Sequence, residues 1–119
     1  MSYDIELRDP KTGQCIELAE KHNIGGGTQE LGGTRRLWLN VTYNYATHFI
    51  RALDSGIGIR VLYGKTGAEC IPILESGIAE LKADVHANYW KATEGNARQA
   101  LVGLLAFAKM RPDGVFAGD

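Results

Sequence analysis

Thr34-Arg35-Arg36-Leu37-Trp38-Leu39-Asn40-Val41-Thr42-Tyr43-Asn44-Tyr45 is the stretch on which the fold turns. Leu37, Leu39, Val41, Tyr43 and Tyr45 alternate with Asn40, Thr42 and Asn44, the period of a half-buried strand. A helix from Thr34, with Trp38, Val41, Tyr45 and Phe49 on one face, competes with that reading. Strict alternation and the β-branched and aromatic content favour a strand from about Arg36 to Tyr43. Downstream, Tyr45, Phe49, Ile50 and Leu53 fit a short helix that ends near Asp54-Ser55-Gly56.

Upstream, Tyr3, Ile5 and Leu7 alternate with Asp4, Glu6 and Arg8, and Asp9-Pro10-Lys11-Thr12-Gly13 carries turn chemistry. Ile16 and Leu18 continue the alternation, so a β-hairpin is expected at the N-terminus. The segment 23–34 is a glycine-rich loop with Gly-Gly-Thr twice, at 26–28 and 32–34. So many glycines make either a mobile loop or a backbone that approaches something closely. Ile59 to Tyr63 reads as a short strand leading into Gly64-Lys65-Thr66-Gly67. A helix follows with Ile71, Leu74, Ile78 and Leu81 on one stripe and Pro72 in its first turn. Thr93 is the N-cap candidate of a last helix running to about Met110. Its stretch from Ala100 to Ala108 is apolar nearly all round, as expected of a central buried helix, and Pro112-Asp113-Gly114 stops it. The expected fold is a small single α+β domain. The hairpin joins an antiparallel or mixed sheet, and three helices lie on one face.

Composition bounds the function. The chain has 119 residues, of which 45% are hydrophobic and 23% charged, with a net charge of −1. That balance gives no long-range attraction to nucleic acid, although Arg35-Arg36, Arg51, Arg60, Lys65, Lys109 and Arg111 are basic groups that the fold can gather. No stretch is apolar for the twenty or so residues that a membrane span needs, and no signal peptide is legible. Cys15 and Cys70 form no CxxC pair, which points to free thiols in a reducing cytoplasm.

Several chemistries lack their residues. Gly64-Lys65-Thr66 is not a Walker A loop, because Ile59 stands where the first glycine is required. The turn at Gly64, Lys65, Thr66 and Gly67 retains a weaker reading as an anion site at a helix N-terminus, beside the simpler one of a turn capped by Thr66. His22, His48 and His86 lack metal-ligand spacing, so no metal and no cofactor is expected. No nucleophile has an evident activating base, and no catalytic residue is assigned. Glu69 and Glu94 fall near helix N-termini, where a carboxylate is stabilising without any catalytic role. On a strand, Asn40, Thr42 and Asn44 form a row of donors and acceptors that His48 can join. Such a row either reads a base edge, a ribose or a phosphate, or is the solvated face of an edge strand. Trp38, Arg35 and Arg36 flank it as stacking and charged groups.

Met1-Ser-Tyr-Asp-Ile5, Asp9-Pro-Lys-Thr-Gly13, Gly32-Gly-Thr34, Trp38 to Tyr45, Gly64-Lys-Thr-Gly-Ala-Glu69 and Met110-Arg-Pro-Asp-Gly-Val115 form a pattern across most of the chain. Tyr89-Trp90 and Thr93-Glu-Gly-Asn-Ala97 belong to it. The pattern resembles a family of short, uncharacterised proteins of bacteriophages, prophages and their bacterial hosts. The resemblance implies a phage or mobile-element setting in the host cytoplasm and brings no catalytic residues. In that setting the first expectation is an anti-defence protein that sequesters a small anionic, nucleotide-type signal without chemistry. Asn40, Thr42, Asn44, His48, the 64–67 turn, Arg35, Arg36 and Trp38 are the candidate site. A protein–protein inhibitor acting on a host enzyme, through an apolar patch at Val115 and Phe116, is the alternative. A small enzyme whose acid or base the sequence does not reveal is the third. A chain this small offers little concavity, so a homo-oligomer with a pocket between subunits is a further expectation.

Overall fold

The computed structural model describes residues 1–28 and 30–119. The central strand is β1 (Ser2–Arg8), whose alternation places Tyr3, Ile5 and Leu7 in the core and Asp4 and Arg8 outside. Two further strands, β2 (Glu17–His22) and β3 (Thr34–Arg36), form a separate antiparallel ribbon. β4 (Trp38–Thr42) and β5 (Val115–Gly118) flank β1, both antiparallel to it, in the order β4-β1-β5. Tyr3 faces Val41, Ile5 faces Leu39, and Leu7 faces Phe116. The helices are α1 (Ala46–Ala52), α2 (Gly67–Glu80) and α3 (Glu94–Met110). The α+β reading holds.

The N-terminal hairpin exists at its turn and then parts. Arg8 bridges Cys15, and the Ile16 amide donates to the Leu7 carbonyl at 2.9 Å. Beyond Ile16 the second arm leaves β1 and pairs with β3, which frees β1 to take β4 and β5 on its two edges. The expected 36–43 strand is broken at Leu37. Its side chain is fully buried, and its backbone bonds to both Ile16 and Leu7 where the ribbon meets the main sheet.

Two expectations fail. Residues 59–63 are not a strand: Gly58–Leu62 is a 3-10 helix. Gly58, at φ +60°, turns the chain there, and Ile59 and Leu62, three residues apart, both enter the core. The patch expected at Val115 and Phe116 is the strand β5, with Phe116 fully buried against β1. Pro72 also lies one turn later than expected, because Thr66 caps α2 so early.

α3 closes the core with Leu101, Leu104, Phe107 and Ala108, all fully buried. Each large apolar side chain among them contributes roughly 1.5–3 kcal/mol. The helix is not apolar to the core alone, however. Gln99, Val102 and Met110 lie outward, with Val102 40% exposed, so an apolar stripe remains uncovered on its outer side. No helix among the described residues is long and apolar enough to cross a membrane.

Candidate functional site

The sequence-derived candidates do not form one site: the 64–67 turn lies apart, and Trp38, with Arg36 stacked on it, shares the outer face of β4 with Asn40. Asn40, Thr42, Asn44 and His48 are brought together, but they hold the chain's own connector between α2 and α3. The Asn44 side-chain amide donates to the Trp90 carbonyl at 2.8 Å, and His48 Nε2 lies 2.8 Å from the Ala92 carbonyl oxygen. Asn44 stands on a 3-10 turn (Tyr43–Tyr45) rather than on the strand, and buried Thr42 caps that turn by accepting from the Asn44 amide. The Asn40 side chain donates to Asp4 at 2.8 Å. The polar row is thus largely engaged in holding the fold.

The 64–67 turn serves the other end of the sheet. The Gly64 amide donates to the Phe116 carbonyl at 2.9 Å, and the Phe116 amide donates back to the Lys65 carbonyl at 3.0 Å. Gly67 and Ala68 donate to Gly114 and Pro112. The remaining donors at the start of α2 close a capping box. The Glu69 carboxylate accepts from the Thr66 amide, and Thr66 Oγ1 accepts from the Glu69 amide. That contact holds the Glu69 carboxyl below its ordinary range. Every amide from Gly64 to Glu69 save that of Lys65 is accounted for here, and Lys65 donates its own amide to Leu62 and its ammonium to Val61. An external anion finds no backbone amide left in this turn. Glu69 supplies the anion internally.

Arg35, Arg36 and Trp38 lie on the ribbon side. Arg35 approaches Glu17 at 3.9 Å, Arg36 approaches Glu6 at 3.7 Å, and the Arg36 guanidinium stacks 5.6 Å from the Trp38 ring. Of the other cations, Arg51 pairs with Glu94 and Arg111 with Asp113, while Arg60 lies over Tyr3. Each is engaged by a carboxylate or an aromatic ring.

What sequence reasoning missed is a groove of about 520 Å³ over the outer side of α3. Its floor is Gln99, Ala100, Val102, Gly103 and Ala106; its flanks are residues 23–26 and 85–89. Both flanks are fixed to the outer edge of β4. On one side the Gly27 amide donates to the Asn40 carbonyl at 2.9 Å. A Cβ on Gly26 would fall 1.7 Å from that same oxygen, so the glycine run there is a backbone in close approach, the second of the two readings. Within that run Gln29 lies outside the described residues.

On the other side the Tyr89 hydroxyl completes the edge. It donates to the Asn40 carbonyl at 3.1 Å and accepts from the Thr42 amide at 3.0 Å. It thereby does for β4 what a further strand would do. Burial pushes the Tyr89 phenol above its usual range, and burial beside Tyr89 does the same for Tyr45, whose hydroxyl donates to the Tyr89 carbonyl. Both remain protonated at neutral pH.

Buried Asn96 organises the same connector from inside. Its Oδ1 accepts from the His86 amide at 2.8 Å, and its Nδ2 donates to the carbonyls of Asn88 and Lys91, both at 3.0 Å. His86 Nδ1 accepts from the Asn88 amide at 2.9 Å, which leaves its proton on Nε2 as a donor. The available signal was Thr93-x-x-Asn96: an amide residue on the buried face of a helix needs partners, and a loop is the source of backbone ones.

The groove offers hydrogen bonds and apolar contact. Among its described lining residues there is no Lys, Arg, Asp or Glu. No group of three or more His, Cys, Asp or Glu suited to a metal ion occurs among the described residues. No family model, curated protein or solved structure matches the chain.

Proposed function

We propose that the protein is a binding protein that captures a small nucleotide-type molecule in the groove over α3 and performs no chemistry on it. The observation that carries this reading is the groove itself: about 520 Å³, within the range of small-ligand sites, with flanks fixed to the sheet by Gly27 and Tyr89. Around its apolar floor, His86 and Gln99 are the polar groups that orient a ligand. One chain supplies the concavity, so a second copy is not required to build the site. In a phage setting such a protein acts in the host cytoplasm as an anti-defence sponge, lowering the free concentration of a signal by stoichiometric binding.

Thermal denaturation against nucleosides, nucleotides and cyclic nucleotides tests the reading. A ligand present at about 100 times its dissociation constant adds roughly 2.7 kcal/mol. The bound compound should be recovered chemically unchanged. Ala106→Trp fills the floor and should remove the shift; a shift that survives it places the site elsewhere. Val85 and Val102 are both exposed at the groove, which supports a second reading in which a host protein sits on the same surface. That reading gains if no small molecule shifts the wild type and a host protein captured by it is lost with Ala106→Trp.

A further inference from the structure

We propose that the groove binds the uncharged, planar part of its ligand, a purine or pyrimidine base, and does not recognise phosphate. The inference rests on the groove being the ligand site and specifies what enters it. Three observations carry it.

The first is electrostatic. A site that buries phosphate supplies charged or convergent donors, because desolvating an unpaired anion is prohibitive. The described residues of this groove carry no cationic Lys or Arg, and the backbone amides of the Gly64–Gly67 turn are spent on Phe116, Leu62, Glu69 and Gly114.

The second is shape. Gly25, Gly26, Ala87, Ala100, Gly103 and Ala106 present backbone or a single methyl to the groove. Surfaces of that kind are flat and accept a ring face closely, while Val102 and Tyr89 add apolar and aromatic contact.

The third is the pattern of polar groups. Gln99 offers a carboxamide donor beside an acceptor, the pairing that matches the amino and ring-nitrogen edge of a base. His86 adds a donor whose tautomer is fixed by the Asn88 amide on its other nitrogen. Together they form a neutral edge-reading set around flat apolar walls.

The test compares dissociation constants for adenosine, guanosine, cytidine and uridine with those of their 5′-monophosphates, at about 50 and 500 mM salt. The proposal expects at least one nucleoside to bind as tightly as its monophosphate, with affinity indifferent to salt. Gln99→Ala, on the exposed side of α3, should weaken that nucleoside about fivefold, the loss of roughly one hydrogen bond. Circular dichroism of this variant verifies its fold, and His86→Ala provides an independent second reading of the edge. Binding of monophosphates alone, or affinity that falls steeply with salt, overturns the inference and leaves the groove as a ligand site. Binding of neither form, or equal binding by Ala106→Trp, removes the groove as the site and the inference with it.

Discussion

Removing one oxygen atom tests whether Tyr89 completes the sheet. Tyr89→Phe keeps the ring and its edge-on contacts with Tyr45 and Trp90, centroids 5.5 and 5.1 Å away, and deletes only the hydroxyl. The two hydrogen bonds lost are unequal in consequence. The Asn40 carbonyl keeps the Gly27 amide at 2.9 Å, so that acceptor stays satisfied. The Thr42 amide has the Tyr89 oxygen as its partner at 3.0 Å, and Thr42 is buried, 2% exposed. An orphaned buried donor costs about 1–3 kcal/mol, more than the net value of an ordinary hydrogen bond. The variant should therefore lose about 1–3 kcal/mol in urea denaturation with little change in m-value. Amide exchange at Thr42 should accelerate beyond the global loss. Tyr63→Phe is the control, since its hydroxyl makes a 3.3 Å contact at an exposed site, and it should change stability by less than about 0.5 kcal/mol. A Tyr89→Phe protein as stable as the wild type, with Thr42 still protected, would show that the hydroxyl does not complete the edge.

Three further outcomes follow from the same contacts. Gly26→Ala places a methyl against the Asn40 carbonyl, so residues 25–27 must move off β4; the expected cost is about 2–4 kcal/mol by denaturation, with ligand binding lost as well. Cys70, fully buried and with burial raising its thiol to about 11, should resist alkylation at pH 8 until the protein unfolds, and rapid reaction of the native protein would contradict that packing. Glu69, Glu94 and Asp113 are held below their ordinary range by Thr66, Arg51 and Arg111 respectively. Their contribution to stability is complete above the ordinary carboxylate range and is lost as pH falls through the lowered values. Melting temperature followed below about pH 5 should decline, and less steeply for Glu69→Gln, whose titration is removed.

The elements with strong local patterns were legible. β1 follows from its alternation, and the start of α3 follows from Thr93, which accepts an amide in the first turn. The 59–63 segment was not, because Ile59, Val61 and Tyr63 alternate as a strand does, while Gly58 and the Asp54 turn before it wind the chain into a 3-10 helix. β5 is four residues long and takes its identity from β1 on one side and residues 64–66 on the other. Such partners are remote in sequence. The same reason governs the site. Asn40, Thr42, Asn44 and His48 do form one cluster, but their role depends on Tyr89, Trp90 and Ala92, more than forty residues away. The groove is a product of two loops meeting one helix and has no signature in any single segment.

The most direct test of that groove is a backbone amide chemical-shift map recorded while the best-binding compound of the nucleoside and nucleotide panel is titrated in. Saturable perturbations should concentrate at residues 23–26, 85–89 and 99–106, with Gly64 to Gly67 unmoved. Perturbations centred on Gly64 to Gly67 or on Arg35 and Arg36, or none from any compound, would contradict it.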